Sequence, residues 1–297
     1  MKILITGGTV FVTRFIAQYF TSKGEEVYVL NRNTKPQPDG VTLIEKDRHD
    51  IGDALKDIHF DLVIDNGYTK EDVADLLDAL GSFDDYVLIS SSAVYPDNLP
   101  QPFTEETTVG ENKFWGIYGT NKIEAEKYLQ ANRPDAYIVR PPYLYGPMNN
   151  VYRESFVFDC AKEGREFLLP GNGDLKLQFF HVEDLCRVID EIIKVKPDTH
   201  IFNVGNKEQV TVKEWVTMCY QTAGKEPTFR NVNEDIHIRK YFCFSDYEYY
   251  LDVTKQEKLI KVTKSFEEGL KESFEWYKDN EDKVNKRDYL HFLKNYL

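Results

Sequence analysis

In the first half of the chain, short runs dense in β-branched and aliphatic residues alternate with longer stretches whose apolar positions recur at helical spacing. Lys2–Thr6 reads as a strand. The following helix, Phe11–Lys23, carries Phe11, Phe15, Ile16, Tyr19 and Phe20 on one face, and Gly24 is its stop signal. Glu26–Leu30 is a second strand. A loop holding Pro36, Pro38 and Gly40 leads to a third, Val41–Ile44. Asp61–Asp65 reads as strand four, Glu71–Leu80 as a helix and Tyr86–Ser90 as strand five. A long helix over Tyr118–Asn132 and a sixth strand at Ala136–Val139 complete the series. Six strands separated by helices predict an α/β chain with a doubly wound parallel sheet.

After Pro147 the elements shorten. Helices are expected over Glu154–Gly164, Val182–Lys194 and Phe266–Tyr277, and Thr211 with Glu214 forms a capping box that opens another, to about Ala223. The last twenty residues, charged and tyrosine-rich, read as a surface helix. No internal repeat or low-complexity tract interrupts the 297 residues, which suit one large α/β unit or a domain with a smaller companion.

Charge and composition narrow the class. Lys and Arg total 37 against 50 Asp and Glu, giving 37 − 50 = −13 and a pI near 5.0. An acidic balance disfavours general attraction to phosphate backbones, so a nucleic-acid partner is not expected. No run approaches the ~18 apolar residues of a membrane helix, and the start, Met1 to Gly8, lacks the features of a secretion signal. Cys160, Cys186, Cys219 and Cys243 show no CxxC or metal-knuckle spacing, which points to reduced, buried thiols and a cytoplasmic protein.

Three segments carry candidate chemistry. Thr6-Gly7-Gly8-Thr9-Val10-Phe11 lies between a strand and a helix, where glycines let backbone amides approach a pyrophosphate and the helix start adds positive partial charge. The full glycine spacing is not met: Val10 and Thr13 stand at the next two glycine positions, and Thr13 adds a side chain where the helix would pack closely on the sheet. Strand two ends in Asn31-Arg32 rather than an acid. An acid there favours NAD, and arginine accommodates the 2′-phosphate of NADP. Asp47-Arg48, past strand three, would lie beside an adenine ring. Finally, Ser90-Ser91-Ser92 ends strand five, and 27 positions beyond Ser91 come Tyr118 and, four later, Lys122. Residues i and i+4 share a helix face, and an adjacent ammonium stabilises a phenolate able to exchange a proton with a substrate hydroxyl.

With these motifs in view, the chain resembles an extended, atypical short-chain dehydrogenase/reductase of the NAD-dependent epimerase/dehydratase family. The matching segments are Ile5–Thr9, Ser90–Tyr95, the Tyr118/Lys122 pair, Val139–Pro147, Gln178–Leu185 and Phe202–Gly205, in family order. The resemblance implies a Rossmann domain over residues 1–147, completed by segments near 178–204, and a mainly substrate-binding region over 148–297. It implies Ser91, Tyr118 and Lys122 as the catalytic group, with Lys122 also holding the nicotinamide ribose. The cofactor, NAD or NADP, would meet Gly7, Gly8, Thr9, Val10, Phe11, Asn31, Arg32, Asp47, Arg48, Gly67, Tyr118, Lys122, Pro141 and Tyr143. Ser92, Tyr95, Asn149, Asn150 and Arg239 would face a small-molecule substrate. Members of the family are frequently dimers, which makes a homodimer an expectation.

Two departures bear on substrate. Sugar-nucleotide members usually carry asparagine where this chain has Tyr143, and often a phosphate-clamping arginine where it has Leu177; leucine cannot replace the guanidinium fork. Lys176, Gln178 and Arg239 are the candidate substitutes. Tyr143–Asn149 and Phe242–Tyr247 also resemble a subgroup that includes the chloroplast stem-loop-binding proteins, so the alternative is a nucleotide-binding scaffold that contacts RNA without catalysis. Plain structural roles are expected for His181, a core-edge role for Tyr247–Tyr250, and a solvated face for Lys255, Lys258, Lys261 and Lys264.

Overall fold

The computed structural model describes residues 1–232 and 236–289. In chain order the elements are β1 (Lys2–Thr6), α1 (Phe11–Ser22), β2 (Glu26–Asn31), β3 (Thr42–Glu45), β4 (His59–Asp65), α2 (Lys70–Ala79), β5 (Ser82–Ile89), α3 (Ile117–Asn132) and β6 (Tyr137–Arg140). There follow β7 (Tyr143–Tyr145), α4 (Glu154–Lys162), β8 (Phe167–Pro170), β9 (Lys176–Leu177), β10 (Phe179–His181), α5 (Val182–Val195) and β11 (Ile201–Asn203). The chain continues with β12 (Val210–Thr211), α6 (Val212–Thr222), β13 (Phe229–Val232), α7 (Thr254–Glu257) and α8 (Phe266–Asp279). Two compact units result. The first comprises 1–142, 182–205 and 251–262; the second comprises 143–181, 206–250 and 263–297.

The first unit is built on a seven-stranded parallel sheet in the order β11-β6-β5-β4-β1-β2-β3. Its strands are apolar on both faces: Ile3, Leu4, Ile5, Leu62, Val63, Ile64 and Val87 are all wholly buried. That is why they read as continuous apolar runs rather than as alternation. Each such side chain contributes ~1.5–3 kcal/mol relative to exposure. The six expected strands form, with ends displaced by up to four residues. The seventh, β11, is too short to announce itself and joins only because β6 offers it an edge.

Helix ends follow local chemistry. Gly24, at φ 82°, closes α1 as expected, its N–H reaching Thr21 O (3.0 Å) while Glu25 N–H reaches back to Phe20 O (3.1 Å). The Thr211–Glu214 capping box opens α6. Two more boxes, Thr69/Asp72 on α2 and Ser265/Glu268 on α8, were not singled out from the sequence.

The second unit carries three two-stranded pairings, β7 with β10, β8 with β13 and β9 with β12, around an aromatic core. Phe179 stacks on Trp215 at 5.5 Å, and Tyr143 packs 4.7 Å from Phe244. Tyr247 and Tyr249 stack at 5.4 Å as buried side chains, as expected of that cluster. Asp159 gathers Tyr152 (2.7 Å), Tyr277 (2.5 Å) and Lys286 (2.8 Å), which ties α4, α8 and the segment beyond α8 together. Part of the expected carboxyl-terminal helix, residues 290–297, lies outside the described residues.

All four cysteines are buried and unpaired with one another, as anticipated. The lysine series is not simply a solvated face. Lys255 pairs with Glu106 (2.5 Å) and Glu105 (3.3 Å), and Lys264 with Glu272 (2.6 Å). Carboxylates outside the lysine stretch draw them in, Glu106 from 149 residues away and Glu272 from eight.

Candidate active site

The first unit reverses strand order at β1, whose neighbours β2 and β4 lie on opposite sides; ligands of open α/β sheets bind beyond the carboxyl ends of strands at such a point. Here those ends are tied by polar side chains. Thr6, ending β1, donates to Asp65 Oδ1 (2.7 Å) and accepts from Asn66 N–H (2.9 Å). Asp65 is fully buried, accepts from Tyr86 OH (2.6 Å) and is paired with Arg48. Arg48 also stands 4.0 Å from Asp72. Its guanidinium is therefore committed to a buried carboxylate network that the sequence reading did not foresee.

Gly7 and Gly8 adopt φ of 89° and 82°, conformations that L side chains rarely take, and a Cβ on Gly8 would stand 2.5 Å from Val29 Cγ1. Thr13, the departure from the glycine pattern, has a defined job. Its hydroxyl accepts from Gly8 N–H (3.0 Å) and donates to Val10 O (3.3 Å), so it stitches the loop that a glycine would only have allowed to pack. Helix α1 begins at Phe11 with no capping side chain and no acid in its first turn. Its first amides have no intrahelical partner by geometry, which suits an anion. Asn31 ends β2 by donating to Gly7 O (2.6 Å) and to Gln37 Oε1 (3.0 Å). Arg32 is exposed, 3.6 Å from Asp47. A glycine turn held tight against β2, an uncapped helix start and an exposed arginine at the end of β2 fit a dinucleotide.

The serine–tyrosine–lysine group comes from β5 and α3. Ser90 N–H reaches Val139 O (2.8 Å) and Ser92 N–H reaches Pro141 O (2.9 Å), which docks the end of β5 on β6. Ser91 caps a single 3₁₀ turn, Ser92–Val94, by accepting from Ala93 N–H (3.2 Å). Gly119 brings α3 against that turn: a Cβ there would stand 2.5 Å from Ala93 O.

Tyr118, Lys122 and Glu126 follow at four-residue intervals on one face of α3, and the lower two are anchored. Lys122, 1% exposed, donates to Gly67 O (2.7 Å) and Ile89 O (2.7 Å). Burial pulls its ammonium down to about 8, against the nearby carboxylates Asp65 and Glu126, which raise it. Glu126 is gripped by Arg140 through Nε (3.0 Å) and Nη2 (2.5 Å) and accepts from Ser90. Tyr118 stands at the outer end of the face, 37% exposed, its ring 6.1 Å from that of Tyr68. Sequence reasoning aimed the ammonium at Tyr118. In the structure the ammonium meets two main-chain carbonyls and the Tyr68 ring, 4.8 Å away.

The expected substrate contacts fare unevenly. Tyr95 is wholly buried. It donates to Asn203 Oδ1 (2.7 Å) and accepts from Arg140 Nη1 (2.8 Å), and burial pushes its phenol up to about 12, so it is a structural post rather than a substrate contact. Ser92 is likewise buried, as is Pro141.

In the second unit, Asn149 is buried, donating to Glu154 Oε1 (2.9 Å) and accepting from Val151 N–H (3.0 Å). Asn150 uses its carbonyl to accept from Asn285 N–H (2.8 Å). Tyr143 is buried with Arg153 over its ring at 4.8 Å. Arg239 is half-buried, and Gln178 donates to Asn206 O (2.8 Å), which occupies its amide. Glu154 was missed altogether: burial raises its carboxyl to about 7, and among the described residues its buried Oε2 has no hydrogen-bond partner. His181 is wholly buried, and burial lowers its imidazole to about 3, so it stays neutral in a structural position.

Comparison with known proteins gives a family match for part of the chain. The model of the NAD dependent epimerase/dehydratase family matches residues 65–205. That match covers 141 of the 297 residues, from the end of β4 to just past β11. The chloroplast stem-loop binding protein of 41 kDa b from Arabidopsis thaliana is 29% identical, aligned over 92% of this chain and 78% of its own. A probable GDP-L-fucose synthase 1 from Oryza sativa subsp. japonica is 27% identical over 74% of this chain and 70% of its own. Among solved structures, a UDP-glucose 4-epimerase from Thermotoga maritima superposes with TM-score 0.74 at 19% identity, covering 94% of this chain and 99% of its own. A dTDP-glucose 4,6-dehydratase from Bacillus anthracis, solved in complex with NAD, gives 0.74 at 19% over 96% and 98%. These likenesses establish the Rossmann fold. Among the described residues, no helix is long and apolar enough to cross a membrane.

Proposed function

We propose that this chain is a cytoplasmic NAD(P)-dependent epimerase, dehydratase or oxidoreductase acting at a hydroxyl-bearing carbon of a small molecule, a sugar or nucleotide sugar. Tyr118 is the acid/base, Ser91 holds the reacting oxygen, and Lys122 fixes the helix that presents the phenol. One observation carries the reading. Buried bonds at Lys122 and Glu126 anchor one face of α3 and leave Tyr118 exposed at its outer end, and Gly119 packs the same helix against the turn that Ser91 caps. A phenol held this way can give and take a proton without reorganising its support.

The first turn of α1 and the amides after Gly7 would hold the cofactor's phosphates, and Asn31, Arg32 and Asp47 its adenosine end. The nicotinamide, when bound, accepts and returns a hydride. Tyr118 takes the proton of the substrate hydroxyl through its phenol oxygen, and Ser91 Oγ donates to the same substrate oxygen. Replacing Tyr118 with phenylalanine tests this. Turnover across a panel of UDP-, GDP- and dTDP-sugars should fall by at least about 10²-fold, with NADH affinity unchanged. Unchanged turnover refutes the assignment.

The stem-loop-binding relative favours a second reading, an RNA-contacting scaffold, against which the net charge of −13 weighs. Absence of hairpin-RNA binding at low salt removes it.

A further inference from the structure

Lys122 has three N–H donors, and two of them are spent on Gly67 O and Ile89 O. Its ammonium also lies 4.8 Å from the centre of the Tyr68 ring, within the distance at which an aromatic face attracts a cation. Tyr68 is itself 51% exposed, so the ring separates a buried cation from open solvent. On its other flank it lies 6.1 Å from the ring of Tyr118. The backbone beneath Tyr68 is fixed. Its N–H donates to Asp72 Oδ2 (2.7 Å), the capping box of α2 begins at the next residue, and a Cβ on Gly67 would stand 2.9 Å from Asp65 Oδ2 and 3.2 Å from Arg48 Nη1. Movement at this point therefore belongs to the side chain rather than to the loop.

The geometry points to Tyr68 as a gate over the Lys122 amine: its ring caps the one N–H that remains, and a ligand hydroxyl reaches that donor only when the ring turns aside. Under the proposed function that hydroxyl belongs to the cofactor ribose, and this part of the inference rests on that reading. The capping of the amine does not. A positively charged amine with a single gated donor adds a step to ligand entry, and a ligand bears the cost of displacing the ring.

Two measurements test the gate. The first is limited acetylation of the whole protein at pH 8, with the label at Lys122 followed by mass spectrometry and the exposed lysines as internal reference. Tyr68→Ala should speed acetylation at Lys122 by about fivefold, the value of a cation–aromatic contact at a half-exposed site. Tyr68→Phe, which keeps the ring, should match the wild type. Equal labelling of Tyr68→Ala and wild type overturns the gate, as does a Tyr68→Phe rate equal to that of Tyr68→Ala. Circular dichroism confirms that both variants fold. The second is NADH titration, in which Tyr68→Ala should bind about fivefold more tightly and Tyr68→Phe like the wild type. Weaker binding by Tyr68→Ala overturns the gate, because it makes the ring a platform for the ligand. If wild type and variants all fail to bind NADH, the dinucleotide reading falls while the labelling still decides the gate.

Discussion

Replacing Arg140 with methionine would take a guanidinium away from two buried partners at once, Glu126 and Tyr95. Arg140 is 3% exposed, grips Glu126 with two nitrogens and donates a third bond to Tyr95, which in turn reaches Asn203. Methionine preserves much of the aliphatic volume, so the loss is polar. Glu126, 2% exposed, would keep only Ser90 as a hydrogen-bond donor, and Tyr95 would lose its own. Stranding one member of a buried ion pair costs ~3–5 kcal/mol, a large share of the ~5–15 kcal/mol that stabilises a domain.

The assay is urea unfolding followed by far-ultraviolet circular dichroism. The transition containing the seven-stranded sheet should move to lower urea with its slope unchanged. A further Glu126→Leu change in the Arg140→Met background should recover most of the loss, because an apolar replacement of the whole pair is close to neutral. A loss under about 1 kcal/mol, or no recovery in the double variant, would show that the clamp is not what holds α3 on the sheet.

Two further outcomes follow from the same structure. Gly8→Ala forces a side chain into φ 82° with its Cβ 2.5 Å from Val29, and should cost ~1–3 kcal/mol by thermal unfolding and abolish NADH binding; a variant of wild-type stability sinks this. Glu154 has its carboxyl raised by burial to about 7 from an ordinary 4.5, so its folded form binds the extra proton between those values. The second unit should therefore lose stability as pH rises from 4.5 to 7. Glu154→Gln should remove that slope and stabilise the protein at pH 8 by about 3 kcal/mol, read as a shift in urea midpoint.

Much of the scaffold could be read from the chain. The alternation of short apolar runs with helical periodicity located six of the seven sheet strands. Gly24 marked the end of α1, and Thr211 with Glu214 marked the start of α6. Ser91, Tyr118 and Lys122 could be singled out as candidates because a strand end and an i, i+4 pair are local patterns. Their supports were not. Glu126 and Arg140 are fourteen residues apart, Tyr95 and Asn203 more than a hundred, and only the folded sheet brings them together. Tyr68 was hidden for the same reason: nothing adjacent in sequence connects it to Lys122. Glu154 reads as an ordinary first-turn acid, and only its burial makes it unusual.

The first unit is assembled from three separate stretches of chain, and its last one, 251–262, bonds back to the strand region completed by 201–205 through Gln256 and Gly205. During synthesis, the ribosome must therefore deliver at least residue 256 before this patch can close. Until then the sheet, whose last strand ends at Asn203, stands without the helix α7 that closes on that strand, and no single cut in the gene yields that unit alone.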